Sequence, residues 1–188
     1  MILAAGEGRR IGGNKALRQI NGKSFLEAVI VPMLNIALDP LIVVIGTNAP
    51  LKTILINLNV NFEINDNWQS GQFSSLKAGM TALPKNIPGV MISLVDHPKV
   101  KSETYKLLCH IFMENSKKII LPIYNGRRGH PIIIPRVLID EILKAPDDSN
   151  LKEIIWQHTG LVLEQLVDDP GILQDIDTEE DLKKIGKS

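Results

Sequence analysis

Short unbroken apolar runs alternate along this chain with longer stretches in which apolar positions recur at helical spacing. The runs lie at 1–4, 41–45, 60–64, 90–95, 119–123, 132–134 and 161–166 and are rich in Ile, Val and Leu. An unbroken run, unlike an apolar/polar alternation, marks a strand covered on both faces. The amphipathic stretches predict helices over 51–58, 73–83, 102–115, 135–143, 151–157 and 179–185. Asp148 or Ser149 is a starter for the fifth of these and Thr178 for the last. A further helix is announced by Ser24 and Glu27, which fit an S-x-x-E capping box before LEAVIVPML, with Pro32 expected to kink it or end it early. This order implies an α/β protein, a three-layer αβα sandwich around a mainly parallel twisted sheet. Such sheets hold ligands beyond the carboxyl ends of their strands. The loops singled out are 5–15, 65–72 and 96–98. No linker, repeat or low-complexity segment interrupts the chain, so residues 1–188 read as a single domain. The first run is short for a strand, which leaves room for native residues ahead of Met1.

Composition narrows the field. A chain of 188 residues with 44% hydrophobic content can bury a full core. Equal totals of 21 acidic and 21 basic residues argue against a dedicated nucleic-acid binder, so basic chemistry must be local. Cys109 is the sole cysteine and sits among apolar neighbours, which excludes a disulfide framework and reads as a buried packing thiol in a reducing compartment. No run reaches membrane-spanning length and no signal-peptide pattern opens the chain, so a cytoplasmic protein is expected.

The opening, MILAAGEGRRIGGNK, combines glycines with basic residues, as a phosphate-binding loop does. It matches neither familiar pattern. After Gly6 and Gly8, Ile11 stands where G-x-G-x-x-G needs glycine, and Gly13 is followed by Asn14-Lys15-Ala16 rather than Lys-Ser/Thr. The alternative is a plain glycine-rich turn. The run VMISLVDHP ends in Asp96, placed either to hold Mg²⁺ in the crevice or to cap the next turn. Asp175 or Asp177, in QDID, could supply a second carboxylate, and Asp181 reads as part of a helix start with Thr178. In GRRGHPIIIP, Arg128 and His130 could clamp an anionic second substrate, or the stretch could be a hairpin corner with solvated arginines. Around Gly71, Ser70 and Ser75 suit base recognition or phosphate contact at a helix N-terminus, or ordinary capping, with Ser74 a further capping candidate. His97, His110 and His158 lack metal-site spacing and read as structural.

Together these stretches resemble the MobA-like nucleotidyltransferase superfamily, and within it the MocA type, the molybdenum cofactor cytidylyltransferases. LAAGEGRRIGGNK resembles the family opening L-A-A-G-x-S-x-R-M-G-x-N-K, departing at Gly8 and Ile11. SGQFSSLKAGM, LVDHP, NGRRGHPIIIP and DIDTEEDL follow in the family's order over essentially the whole chain. The resemblance implies the Rossmann-like fold of nucleotide-diphospho-sugar transferases. It further implies that Leu3, Ala4, Ala5 and Gly6 hold base and ribose, with Gly8 in the same nucleotide-binding loop. Arg10 and Lys15 would take the triphosphate. Asp96, with Asp175 or Asp177, would hold Mg²⁺, and Gly129, His130 and Pro131 would face the pterin. Ala5 stands where guanylyl-transferring relatives have glycine, so CTP is the implied nucleotide and molybdopterin or molybdenum cofactor the acceptor. A molybdenum hydroxylase would be the transient recipient. The rivals are a guanylyltransferase, a sugar- or polyol-phosphate nucleotidyltransferase of the same fold, and a non-catalytic nucleotide-binding carrier.

Overall fold

All seven apolar runs form strands. They are β1 (Ile2–Ala4), β4 (Ile42–Ile45), β5 (Asn61–Ile64), β6 (Gly89–Leu94), β7 (Ile119–Tyr124), β9 (Ile132–Pro135) and β10 (Val162–Leu166). Three short strands were not foreseen: β2 (Gln19–Ile20), β3 (Lys23–Ser24) and β8 (Arg127–Arg128). The computed structural model describes residues 1–6, 13, 15–20, 22–36, 38–47, 49–178 and 180–182. The helix expected at 179–185 lies largely outside the described residues.

Strand order across the main sheet is β10-β7-β9-β6-β1-β4-β5, with β8 on β7. β5, β4, β1 and β6 run parallel, as do β7 and β10. β9 is antiparallel to both its neighbours, β6 and β7. Because its direction is reversed, the start of β9 lies at the edge where its neighbour β6 ends.

The side chains explain why the runs are unbroken. Ile2, Ala4, Val43, Ile45, Met91, Ile120 and Ile133 belong to one core cluster. Leu3, Val44, Ile92, Leu121 and Ile132 belong to the other. Successive residues thus alternate between two dry layers. The first layer is covered by α1 (Phe25–Asn35), α2 (Ala49–Asn57) and α4 (Ser102–Glu114), through residues such as Leu26, Leu55 and Leu108. The second is covered by α3 (Gln72–Thr81), α5 (Arg136–Lys144) and α6 (Leu151–Gln157), through Leu76, Ile139 and Ile155.

Local signals set the helix ends. Ser24 Oγ accepts from the Glu27 N–H at 3.1 Å while the Glu27 carboxylate accepts from the Ser24 N–H at 2.8 Å, completing the expected box. The Ser24 hydroxyl, which donates to the Glu27 carboxylate at 2.6 Å, and then the Ser24 N–H lower the pKa of that carboxyl. Pro32 does not end α1, which continues to Asn35. An interior proline costs about 3 kcal/mol. Val29, Ile30 and Met33 are fully buried around it, and each contributes roughly 1.5–3 kcal/mol. The starter of α6 is neither Asp148 nor Ser149 but Asn150, whose side chain accepts from the Glu153 N–H at 2.9 Å. Cys109 is half-buried against the first layer, and burial raises its thiol pKa. Among the described residues no helix is long and apolar enough to cross a membrane.

Replacing Ser24 with Ala should lower the unfolding free energy by about 1 kcal/mol. Thermal melts followed by circular dichroism should show a fall in Tm of about 2–4 °C, and Ser24→Thr should keep most of the stability.

Candidate functional site

β1 and β6 are adjacent, and the chain leaves their carboxyl ends at Ala5–Gly6 and Val95–Asp96. A cavity of about 360 Å³ opens between them, with Ala5, Gly6, Lys15, Gly71, Asp96 and Asp177 in its wall. At its floor the Lys15 ammonium donates to Asp96 Oδ2 at 3.1 Å and to Asp177 Oδ1 in a still closer contact. The lysine side chain is only 9% exposed. Its charge is therefore held by these carboxylates rather than by water.

Three distant segments are needed for this arrangement. Lys15 starts a 3-10 turn, Lys15–Leu17, just beyond the opening loop. Asp96 is delivered by β6, whose register continues past its end through the Val95 N–H bond to the Leu3 carbonyl at 3.2 Å. Asp177 is delivered by the C-terminal segment, where the Ile176 N–H donates to the Asp96 carbonyl at 2.9 Å and the Ile176 side chain is buried. Thr178 and Asp181 form the expected helix start: the Asp181 carboxylate accepts from the Thr178 N–H at 3.0 Å and hydroxyl at 2.7 Å. Asp175 is exposed and is not in the cavity wall.

Asp96 Oδ1, on the other side of its carboxylate, is buried without a hydrogen-bond partner. Two hard-oxygen side chains with an unsatisfied inward lone pair fit Mg²⁺, which takes one or two carboxylates plus substrate phosphates. Among the described residues no group of three or more His, Cys, Asp and Glu forms an all-protein metal site.

The second wall is the segment before α3. Gly71 has φ +106° and ψ −179°, a conformation reserved for glycine, and it starts α3 without a side-chain cap. The helix thus begins, without a side-chain cap, at Gly71 and Gln72 in the crevice wall. Asn65 organises this wall: its Nδ2 donates to Ser74 Oγ at 2.9 Å and Ser75 Oγ at 3.0 Å, and its Oδ1 accepts from the Asn67 N–H at 3.0 Å. Ser75 is buried at the cavity, whereas Ser70 is exposed and borders a second cavity of about 220 Å³. The two cavities share Leu3, Gly71, Gln72 and Leu94, so they are lobes of one crevice.

His130 lines the second lobe. Burial and the neighbouring His97 push its pKa down to about 4, against the opposing pull of Asp96 and the Ile92 backbone. The His97 and His130 rings lie 5.3 Å apart, and both Nδ1 atoms are buried without partners. His97 Nε2 approaches Asp96 Oδ1 at 3.7 Å, but His97 itself is buried and lines neither lobe. Gly129 is sterically required, since a β-carbon there would collide with the Ile172 carbonyl. Pro131 is buried at the start of β9. Arg128 is not brought to the crevice; it is exposed and pairs with Glu164 at 2.6 Å. Leu3, Ala5 and Gly6 line the first lobe, while the Ala4 side chain points into the core. Gly8 and Arg10, together with Gly12 and Asn14 of the opening motif, lie outside the described residues. His110 faces Glu114 and His158 bonds Glu141, both away from the crevice.

The family model of the MobA-like NTP transferase domain matches residues 1–161. The chain belongs to this family. A protein named nicotine blue oxidoreductase, from Paenarthrobacter nicotinovorans, is 29% identical over 98% of this chain and 94% of its own length. The molybdenum cofactor cytidylyltransferase of Escherichia coli K12 is 23% identical over 65% of this chain and 60% of its own. Rv0371c of Mycobacterium tuberculosis H37Rv, in its manganese complex, superposes with a TM-score of 0.82 at 22% identity, covering 100% of this chain and 96% of that one. These likenesses agree with the MobA-like assignment made from the motifs. They also agree with the expected architecture, a mixed, mostly parallel sheet flanked by helices.

Two outcomes follow from the wall and the second lobe. Asn65→Ala strips partners from Ser74, Ser75 and the Asn67 amide, and should cost about 1–3 kcal/mol, read by urea unfolding, with faster amide exchange at 66–75. His130 is neutral in the folded chain, whereas an unfolded histidine protonates near pH 6.5. Its contribution is therefore complete above pH 6.5 and is lost as pH falls toward the folded value of about 4. Wild type should lose on the order of 2–3 kcal/mol more than His130→Gln across that window, measured by urea unfolding at both pH values.

Proposed function

We propose that this MobA-like protein transfers CMP from CTP to the terminal phosphate of molybdopterin or molybdenum cofactor, releasing pyrophosphate. The observation that carries the reading is the Lys15, Asp96 and Asp177 cluster at the floor of a crevice beyond β1 and β6. A site for a nucleoside triphosphate needs a cation for the phosphates and carboxylates for the counter-cation, and both are here. Leu3, Ala5 and Gly6, with the backbone of Ala4, would receive base and ribose. Ala5 in place of glycine favours cytosine. Arg10 and Lys15 would neutralise the triphosphate. Asp96 and Asp177 are the residues that would hold Mg²⁺, which when bound supplies further charge neutralisation and polarises the phosphates.

The acceptor's phosphate oxygen would attack the α-phosphorus in line. A new P–O bond forms as the bond to the β-phosphate oxygen breaks, and pyrophosphate leaves with that electron pair. A phosphate monoester is already largely ionised near neutral pH, so no general base is required. The work of the protein is positioning and charge neutralisation. The second lobe, lined by His130, would take the pterin beside the Gly129–Pro131 element, and neutral His130 would offer it a hydrogen bond. A molybdenum hydroxylase would be the recipient of the product.

A second reading, an oxidoreductase using the same crevice, is favoured by the likeness to the Paenarthrobacter protein over 98% of this chain. Calorimetric titrations of CTP, GTP and NADH, each with Mg²⁺, separate the readings. The cytidylyltransferase reading expects CTP to bind at least tenfold tighter than GTP, about 1.4 kcal/mol, with the preference lost in Asp96→Ala. It also expects pyrophosphate release with molybdopterin and not with sugar 1-phosphates. Preference for GTP would make the protein a guanylyltransferase, and binding of NADH alone would support the oxidoreductase.

A further inference from the structure

The ammonium of Lys15 occupies the space between the two carboxylates that the proposed function gives to a divalent cation. It touches Asp96 Oδ2 at 3.1 Å, and Asp177 Oδ1 more closely still. The side chain is enclosed, 9% exposed, and its own residue starts the turn Lys15–Leu17, so it approaches from a fixed root. We infer that Lys15 is a resident counter-ion that keeps divalent cations out of the free enzyme, and that metal enters only with a nucleoside triphosphate. This rests on the nucleotidyltransferase reading.

Electrostatics gives the reason. A divalent ion set between Asp96 and Asp177 would stand beside an ammonium that is itself only 9% exposed. Like charges at such separations repel strongly where water is excluded. A triphosphate changes the balance by offering the ammonium a better anion at the same floor. Lys15 then exchanges carboxylate oxygens for phosphate oxygens, and the carboxylates are freed for the metal. Asp96 Oδ1, buried and unpartnered in the absence of nucleotide, is the acceptor left waiting by this exclusion. One side chain would thus couple the binding of nucleotide and metal, a linkage that works equally in both directions. The device would prevent a bare metal from sitting in the site with water as its other ligands.

Mn²⁺ binding followed by electron paramagnetic resonance tests this without turnover. For wild type, Mn²⁺ alone should bind weakly, and α,β-methylene CTP should tighten it at least a hundredfold. Lys15→Met should bind Mn²⁺ alone at least tenfold tighter than wild type, Lys15→Arg should restore exclusion, and Asp96→Asn should abolish binding in either background. Micromolar binding of Mn²⁺ to nucleotide-free wild type would overturn the inference, and needs no variant that folds. Equal nucleotide-free affinities in wild type and Lys15→Met would overturn it too. Absence of any triphosphate binding would count instead against the nucleotidyltransferase reading, while the nucleotide-free comparison still decides whether Lys15 excludes metal.

Discussion

The contact of Lys15 with Asp96 and Asp177 ties together parts of the chain that are 81 and 162 residues apart. The Lys15 side chain is only 9% exposed, so its charge depends on these carboxylates, which themselves keep 25% and 34% of their surface open to solvent. The contact draws three segments together at the crevice floor. Lys15 of the 3-10 turn, Asp96 at the end of β6 and Asp177 of the C-terminal segment must meet there. The bond from the Ile176 amide to the Asp96 carbonyl and the burial of Ile176 supply the neutral part of that junction.

The rest of the site is arranged around this floor by the reversed direction of β9. A purely parallel sheet would bring only strand ends to the crevice. The antiparallel β9 brings a strand beginning there, and with it Gly129 and His130. The two lobes therefore share walls from the N-terminal half of the chain and differ in what the C-terminal half adds. The first is built from the N-terminal parallel unit plus Asp177, and the second adds His130 and the loop before α6. The two lobes adjoin at the shared wall of Leu3, Gly71 and Leu94.

Much of this was legible in the sequence because its signals are local. Unbroken apolar runs located every long strand, and the Ser24–Glu27 box located the start of α1. What escaped depends on contacts between distant residues. The β2–β3 hairpin is two residues on each side, too short for periodicity, although the Asn-Gly pair between the strands was a hairpin signal. Pro32 was read by local rule, but the buried faces of Val29, Ile30 and Met33 decide the outcome. Asn65 looked like loop composition until its three partners were in place. His97 has no spacing partner in the sequence, and its ring neighbour His130 comes from a residue 33 positions away, ahead of β9. Arg128 carried the charge for an anion clamp, yet β10 supplies Glu164 across from it. Asp175 and Asp177 were indistinguishable by spacing; burial of Ile176 and the turn at Thr178 separate them.

A sheet dry on both faces also shapes how such a protein can change over evolutionary time. A polar substitution within β1, β4 or β6 has nowhere to point except into one of two packed layers. Inheritable variation without loss of folding is confined to the rim, where loops can be exchanged while the strands beneath stay fixed. Relatives named for an oxidoreductase and for a cytidylyltransferase are what a scaffold of this kind accumulates. New chemistry is most easily accommodated at the lip of the crevice, where a changed side chain disturbs neither packed layer.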